Sequence, residues 1–377
     1  MTHNIAIYIE PTSHHFSGNR LFIANDGRRN GDRINEPFVY LRDFFAARGI
    51  TVQTADYLPE RESNIIKIYV SMGWLNNYRA ISRRSDTVLS AVFAMECPIV
   101  DPALYRELGR AQQFFRRVFS WSDSQSIQHF VGKPLNCRHY CWPQSFDDVH
   151  EDIWNKTNRK FLVMINSNRL PLIYWNELYT KRLQALDFFS RTGDIDLYGN
   201  GWDEPPFPMH RKWVPYTFRF AHHAINCRWD QIRPNPLLQA ARRAYRGPTP
   251  SKSDTLGHYK FALCFENMIL KGWISEKIFD CFFAGTIPVY WGAPDIDNWV
   301  PPECFVDVRL FSGYQELQTF LKSLSEKDIR NYKNAARHYL RSSQFRPFSK
   351  QAFAELFQNI VEVDAGIHLS ASARAYQ

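Results

Sequence analysis

Residues 259–309 read YKFALCFENMILKGWISEKIFDCFFAGTIPVYWGAPDIDNWVPPECFVDVR. Phe261 to Phe265 is an unbroken apolar run, which suits a strand buried on both faces, and it stops at Glu266 and Asn267. Ser275 is a good helix N-cap and Glu276 favours the first turn. Ile278, Phe279, Phe282 and Phe283 then fall on one helical face. Gly285 suits the residue after the helix, and residues 286–291 return as a strand. This is a strand–loop–helix–strand unit. Its polar residues gather at the carboxyl end of a strand and the amino end of a helix, where open α/β sheets bind ligands and free helix N–H groups favour phosphate. Lys277 lies in that first turn, where a cation opposes the helix dipole by roughly 0.3–1 kcal/mol, a cost that a bound diphosphate would reverse.

Working outward, the same alternation fills the chain. Strands are expected at residues 4–9, 50–54, 65–70 and 88–95, with a helix carrying Phe38, Leu41, Phe44 and Phe45 between the first two. After a weakly periodic stretch the pattern restarts: a strand at 161–165, a helix at 177–190, and a strand at 195–198 closed by Gly199. The Pro-rich passage 204–250 reads as irregular, with room for one helix. Phe353, Leu356, Phe357, Ile360 and Val361 mark an amphipathic helix near the C-terminus. The pattern predicts an N-terminal α/β domain over 1–155, a second over 156–350, and a helix and tail over 351–377.

Composition limits the functions. With 377 residues, 45% hydrophobic and 22% charged, the chain has ample core and is not a disordered polymer. A net charge of +8 favours an anionic partner, but Arg and Lys are dispersed and no familiar nucleic-acid motif is present, which argues against nucleic acid. Seven cysteines, several inside apolar runs, fit buried reduced thiols; Cys137 and Cys141 lack the second pair that a zinc site needs. No apolar run reaches the roughly 18 residues of a membrane span, and residues 1–11 do not read as a signal peptide. The expectation is a cytoplasmic protein, with peripheral membrane contact left open. His14 and His15, in a long polar loop over 12–35, read as solvated.

The motifs KFALCFEN, SEKIFDCFFAGTIPVYWGAP and VPPECFVDV resemble the signature block of the α1,3/4-fucosyltransferases, glycosyltransferase family 10. The resemblance continues upstream, in order, through MECPIVDP at 95–102, VFSWSDS at 118–124, NSN at 166–168 and IDLYGNGW at 195–202. It implies a GT-B fold, two Rossmann-like domains facing a cleft, and transfer of L-fucose from GDP-β-L-fucose to a glycan or glycolipid-precursor hydroxyl with inversion. N-acetylglucosamine or glucose O3 is the family's usual acceptor theme. Inversion by one in-line displacement needs one base and cations for the leaving diphosphate. Glu96 matches the family's base, and Arg182 and Lys277 its diphosphate contacts. Asn168, Glu266, Asn267, Trp273 and Glu276 match nucleotide- or sugar-binding positions, Trp273 standing where the family commonly has Tyr. No metal or other cofactor is implied beyond the donor. The pairs Asp194/Asp196 and Asp295/Asp297 imitate a metal-binding Asp-x-Asp, but neither has the expected context. Two other readings are a transferase of another GDP-sugar and a non-catalytic basic glycan- or nucleic-acid-binding protein.

Overall fold

The computed structural model describes residues 5–24, 33–60, 64–206 and 215–369. It divides into two units, residues 1–147 with 346–377, and residues 148–345.

In the first unit six strands form one sheet: β1 (Ile5–Glu10), β2 (Thr51–Thr54), β3 (Ile66–Ser71), β4 (Thr87–Phe93), β5 (Arg117–Ser120) and β6 (Arg138–His139). Their order is β2-β1-β3-β4-β5-β6 and every pairing is parallel. Such sheets must be covered on both faces, so β1, β3 and β4 read as near-continuous apolar runs, with Ile7, Ile9, Ile68, Val70, Val92 and Phe93 fully buried. The 4–9 and 65–70 expectations are each met within a residue. The strand expected at 88–95 ends earlier, at Phe93, so Glu96 sits in the loop beyond its carboxyl end. Of the polar loop over 12–35, residues 25–32 lie outside the described residues; His14 packs edge-on against Trp74 with ring centroids 5.0 Å apart.

The helix Lys350–Ala365 belongs to this first unit and is no separate tail, and the boundary between units falls at Asp147, ahead of residue 155. Its aromatic face explains the return. Phe357 stacks on Phe93 at 5.6 Å, and Phe353 meets Phe38 of helix Glu36–Ala46 edge-on at 5.8 Å. At its end Asp364, with a fully buried side chain, is held by Arg117 (2.9 Å), Arg116 (2.9 Å) and Ser90. Burial pushes this carboxyl up, but the hydroxyl and the two guanidiniums outweigh it and hold it below its usual value.

The second unit carries β7 (Lys160–Ile165), β8 (Ile195–Tyr198), β9 (Tyr259–Phe265), β10 (Ile287–Trp291) and β11 (Val306–Asp307), all parallel in the order β11-β10-β9-β7-β8. Each unit is thus a Rossmann-like α/β layer. The passage 204–250 departs from its reading: it holds two helices, Tyr216–Ile232 and Pro236–Ala244. Its prolines punctuate these helices without breaking them, Pro215 at the N-cap and Pro236 in the first turn, where a missing N–H costs nothing.

Candidate active site

The strand order of the second sheet reverses between β7 and β9: the chain runs from β7 outward to β8, then crosses back to β9. A crevice is expected where the connections diverge, at the carboxyl ends of those two strands. Three segments lie at that edge: Asn166 to Asn168 after β7, Glu266 and Asn267 after β9, and the amino end of helix Glu276–Ala284, which is tied to Glu266 through Ser275.

The loop after β7 is tied to the loop after β8. Asn166 N donates to Tyr198 O (3.0 Å), Asn168 N to Asn200 O (2.9 Å), and Asn168 Nδ2 to the carbonyls of Gly201 and Glu204 (both 2.9 Å). Gly199, at φ +134°, makes this approach possible, since a Cβ there would run into the Asn166 carbonyl.

After β9, Glu266 is completely buried. Its carboxylate accepts from Ser275 N (2.8 Å), Ser275 Oγ (2.8 Å) and Lys277 Nζ (3.1 Å), and Lys277 Nζ also donates to Ser275 Oγ (2.9 Å). Lys277 therefore does not wait for a diphosphate to offset the helix dipole, as its position alone suggested: Glu266 already does so. Burial works against the ammonium, but Glu266 and Glu276 prevail and raise its pKa, so it stays charged across physiological pH. The helix itself is anchored by Ile278, Phe279, Phe282 and Phe283, all buried, each contributing about 1.5–3 kcal/mol of transfer free energy.

Arg182 comes from helix Tyr179–Arg191 and is 4% exposed. Its Nη2 donates to the carbonyls of Phe265 (2.6 Å) and Glu266 (2.7 Å) and to Asn267 Oδ1 (3.0 Å), which fixes the turn leaving β9. The structure thus brings Arg182, Glu266, Asn267, Glu276 and Lys277 together and places Asn168 on the adjoining loop. Trp273 is the exception. It is 2% exposed, in a stretch where Leu270 and Ile274 are buried as well, so it offers no open aromatic wall on this unit. Glu96, on the first unit, is half-buried, with Oε1 accepting from Cys97 N (3.0 Å) and its carbonyl from Tyr105 Oη (2.8 Å).

Two groups escaped the sequence reading. Lys252 reaches Glu276 (3.4 Å) and Asp280 (2.5 Å), and Glu276 is held well below the usual carboxylate range because Lys277 and Lys252 overcome its desolvation. The only hint was the four-residue spacing of Glu276 and Asp280. Gly292 is the other. A Cβ there would lie 2.5 Å from both Glu266 Cγ and Tyr290 Oη, so the glycine makes room for the buried carboxylate. Gly292→Ala is expected to cost about 1–3 kcal/mol in chemical denaturation.

Of the four Asp-x-Asp carboxylates, Asp194, Asp196 and Asp295 are engaged by protein groups. Asp196 meets Arg246 (2.7 Å), Lys160 (3.0 Å) and Tyr259 Oη (2.7 Å); Asp194 meets Lys322 (2.7 Å); Asp295 accepts from Gly272 N (2.8 Å).

Residues 239–358 match the family model described as Glycosyltransferase family 10 (fucosyltransferase) C-term, so this part of the chain is a domain of that family. The chain is 34% identical over 110 residues to the alpha-(1,3)-fucosyltransferase FucT of Helicobacter pylori, which covers 29% of this chain and 22% of that protein. It is 30% identical over 154 residues to alpha-(1,3)-fucosyltransferase 7 of Rattus norvegicus, covering 39% of this chain and 41% of the relative. The matches thus span less than half of these relatives. A solved glycosyltransferase from Rickettsia africae ESF-5 is similar in fold over 96% of this chain and 100% of that one, at 11% identity and TM-score 0.51.

Proposed function

We propose that this chain is a GT-B glycosyltransferase that moves L-fucose from GDP-β-L-fucose to a glycan hydroxyl with inversion. The observation that carries the reading is the Glu266–Ser275–Lys277 constellation, a cation held at a helix N-terminus at the sheet's switch point, inside the family 10 match. Lys277 and the helix N–H groups would take the diphosphate, with Lys acting as a compact charge. Asn267 and Glu276 would contact nucleotide or sugar, and Asn168 would present its loop to the phosphates. Arg182 has a positioning part in this scheme, because its guanidinium already holds the turn that carries Glu266 and Asn267. The first unit would bind the acceptor and supply Glu96 as base. Charge stabilisation comes from side chains, so the transfer step needs no divalent metal.

The distinguishing experiment is a donor panel over a glycan array containing N-acetylglucosamine and glucose acceptors. Turnover with GDP-fucose is expected to exceed that with GDP-mannose at least tenfold. Equal or greater turnover with GDP-mannose would favour the other GDP-sugar reading, and GDP binding without any transfer the non-catalytic one.

Peripheral membrane contact has support in helix Tyr216–Ile232. Phe218, Ile225, Trp229 and Ile232 are 54–72% exposed and, at about 100° per residue, share one face. Arg219, Arg228 and Arg233 flank that face, and the helix's one acid, Asp230, is paired with Arg242 (2.6 Å) on the other side. Aromatic and basic groups around an apolar stripe suit an anionic lipid surface. Sedimentation with phosphatidylglycerol vesicles is expected, and Trp229→Ser/Ile232→Ser should release the chain; equal sedimentation of the double variant would remove this helix from the reading.

A further inference from the structure

The inner face of that same helix bears a different chemistry. His223 and Cys227 are one turn apart, and Glu204 approaches them from the loop after β8. Glu204 Oε2 lies 3.0 Å from His223 Nε2, Cys227 Sγ lies 3.6 Å from the same nitrogen, and all three atoms fall within 4.8 Å of one another. Among the described residues this is the one group of histidine, cysteine and carboxylate donors so arranged. Cys137 and Cys141, the cysteines that drew attention in the sequence, are not part of one.

One imidazole nitrogen cannot make two full-strength hydrogen bonds of these opposite kinds. An imidazole nitrogen either carries a proton, which it donates to one acceptor, or offers a lone pair, which accepts one proton. If Nε2–H points at Glu204, that nitrogen has no lone pair for the Cys227 thiol; if Nε2 accepts from the thiol, it has no proton for the carboxylate. A cation bound by three lone pairs satisfies all three atoms together. The spacings agree. For tetrahedral zinc with bonds of about 2.0–2.3 Å, adjacent N and S ligands stand about 3.6 Å apart and N and O about 3.3 Å. The donors are also the right kind: thiolate and imidazole with one carboxylate favour zinc over magnesium or calcium, which want oxygen alone.

We infer that Glu204, His223 and Cys227 form a structural zinc site that clips helix Tyr216–Ile232 to the loop leaving β8. The thiol gives up its proton to solvent as the metal binds, so the ion's two positive charges meet one thiolate and one carboxylate. The site borders a groove lined by Asp203, Pro205, Gln231 and Arg242, which leaves water access to a fourth ligand position. Asp230, on the same helical face, is not that ligand: its carboxylate is engaged by Arg242 (2.6 Å) and Asn235 N (3.1 Å). The clip would also steady the phosphate-side loop, because the Glu204 carbonyl accepts from Asn168 Nδ2. It is independent of the transfer chemistry and stands or falls without it.

The test is cobalt substitution of the full chain after treatment with a chelator. One equivalent of Co2+ should bind and show tetrahedral visible bands with a thiolate-to-cobalt charge-transfer band. Zn2+ should displace it and raise the melting temperature. Cys227→Ser should abolish the charge-transfer band, whereas Cys137→Ser/Cys141→Ser should keep it. Glu204→Gln, at a side chain 66% exposed and so harmless to folding, should weaken zinc binding about 10–100-fold. Absence of cobalt binding, a charge-transfer band that survives Cys227→Ser, or unchanged zinc affinity in Glu204→Gln would each overturn the site.

Discussion

Glu96→Gln is expected to lower the single-turnover rate of fucosyl transfer by about 100- to 10,000-fold, the usual range for loss of a general base, while GDP binding stays within twofold. The substitution separates structure from chemistry. The Glu96 side chain accepts a hydrogen bond from Cys97 N, and a carboxamide oxygen can accept the same bond. Its carbonyl, which holds Tyr105 Oη, is untouched. What disappears is the ability to take a proton from the acceptor hydroxyl. Wild-type transfer by this variant would move the base elsewhere on the first sheet's carboxyl edge. Glu10 would then be the next group to replace: it ends β1, accepts from Tyr69 Oη (3.0 Å), and its pKa is raised because burial outweighs the help from Tyr69 and His14. A carboxyl with a raised pKa is nearer to what a base working at neutral pH needs.

Much of this arrangement could be read from residues alone, for a definite reason. Strands buried on both faces need continuous apolar runs, and helices leave their marks at both ends. The β9 and β10 runs and the Ser275 and Gly285 caps are therefore visible in the sequence, and they put Lys277 in a first turn. Partners brought together by folding left no such trace. Nothing local joins Lys277 to Glu266 across 11 residues, or Lys252 to Glu276 across 24. Gly292 looks like an ordinary turn glycine until the buried carboxylate beside it is known. The return of helix Lys350–Ala365 to the first sheet depends on an aromatic face matching Phe93 and on Arg117 receiving Asp364, both set by long-range topology. The prolines of 204–250 misled because a proline at a helix start and one in a loop look the same in sequence.

Lys277→Ala should produce two losses that a second substitution can take apart. The first is stability. Glu266 has no exposed surface, and without the ammonium its carboxylate keeps only the Ser275 N–H and hydroxyl. Removing one partner of a buried pair costs about 3–5 kcal/mol; Ser275 remains in place, so the lower end is expected, about 3 kcal/mol in denaturant unfolding. The second is GDP affinity, expected to fall about 10- to 100-fold for one lost charge-assisted hydrogen bond to phosphate. A reader of the single variant could blame the second loss on the first, since a loosened turn would misplace Asn267 as well. Glu266→Gln/Lys277→Met answers that objection. It removes both charges, keeps the volumes close, and leaves Ser275 an amide to bond with, so most of the stability should return. If Lys277 faces the diphosphate, GDP binding stays weak in the stable double variant. If GDP affinity recovers together with stability, Lys277 serves only to neutralise Glu266, and the nucleotide's phosphates must be sought by other cations.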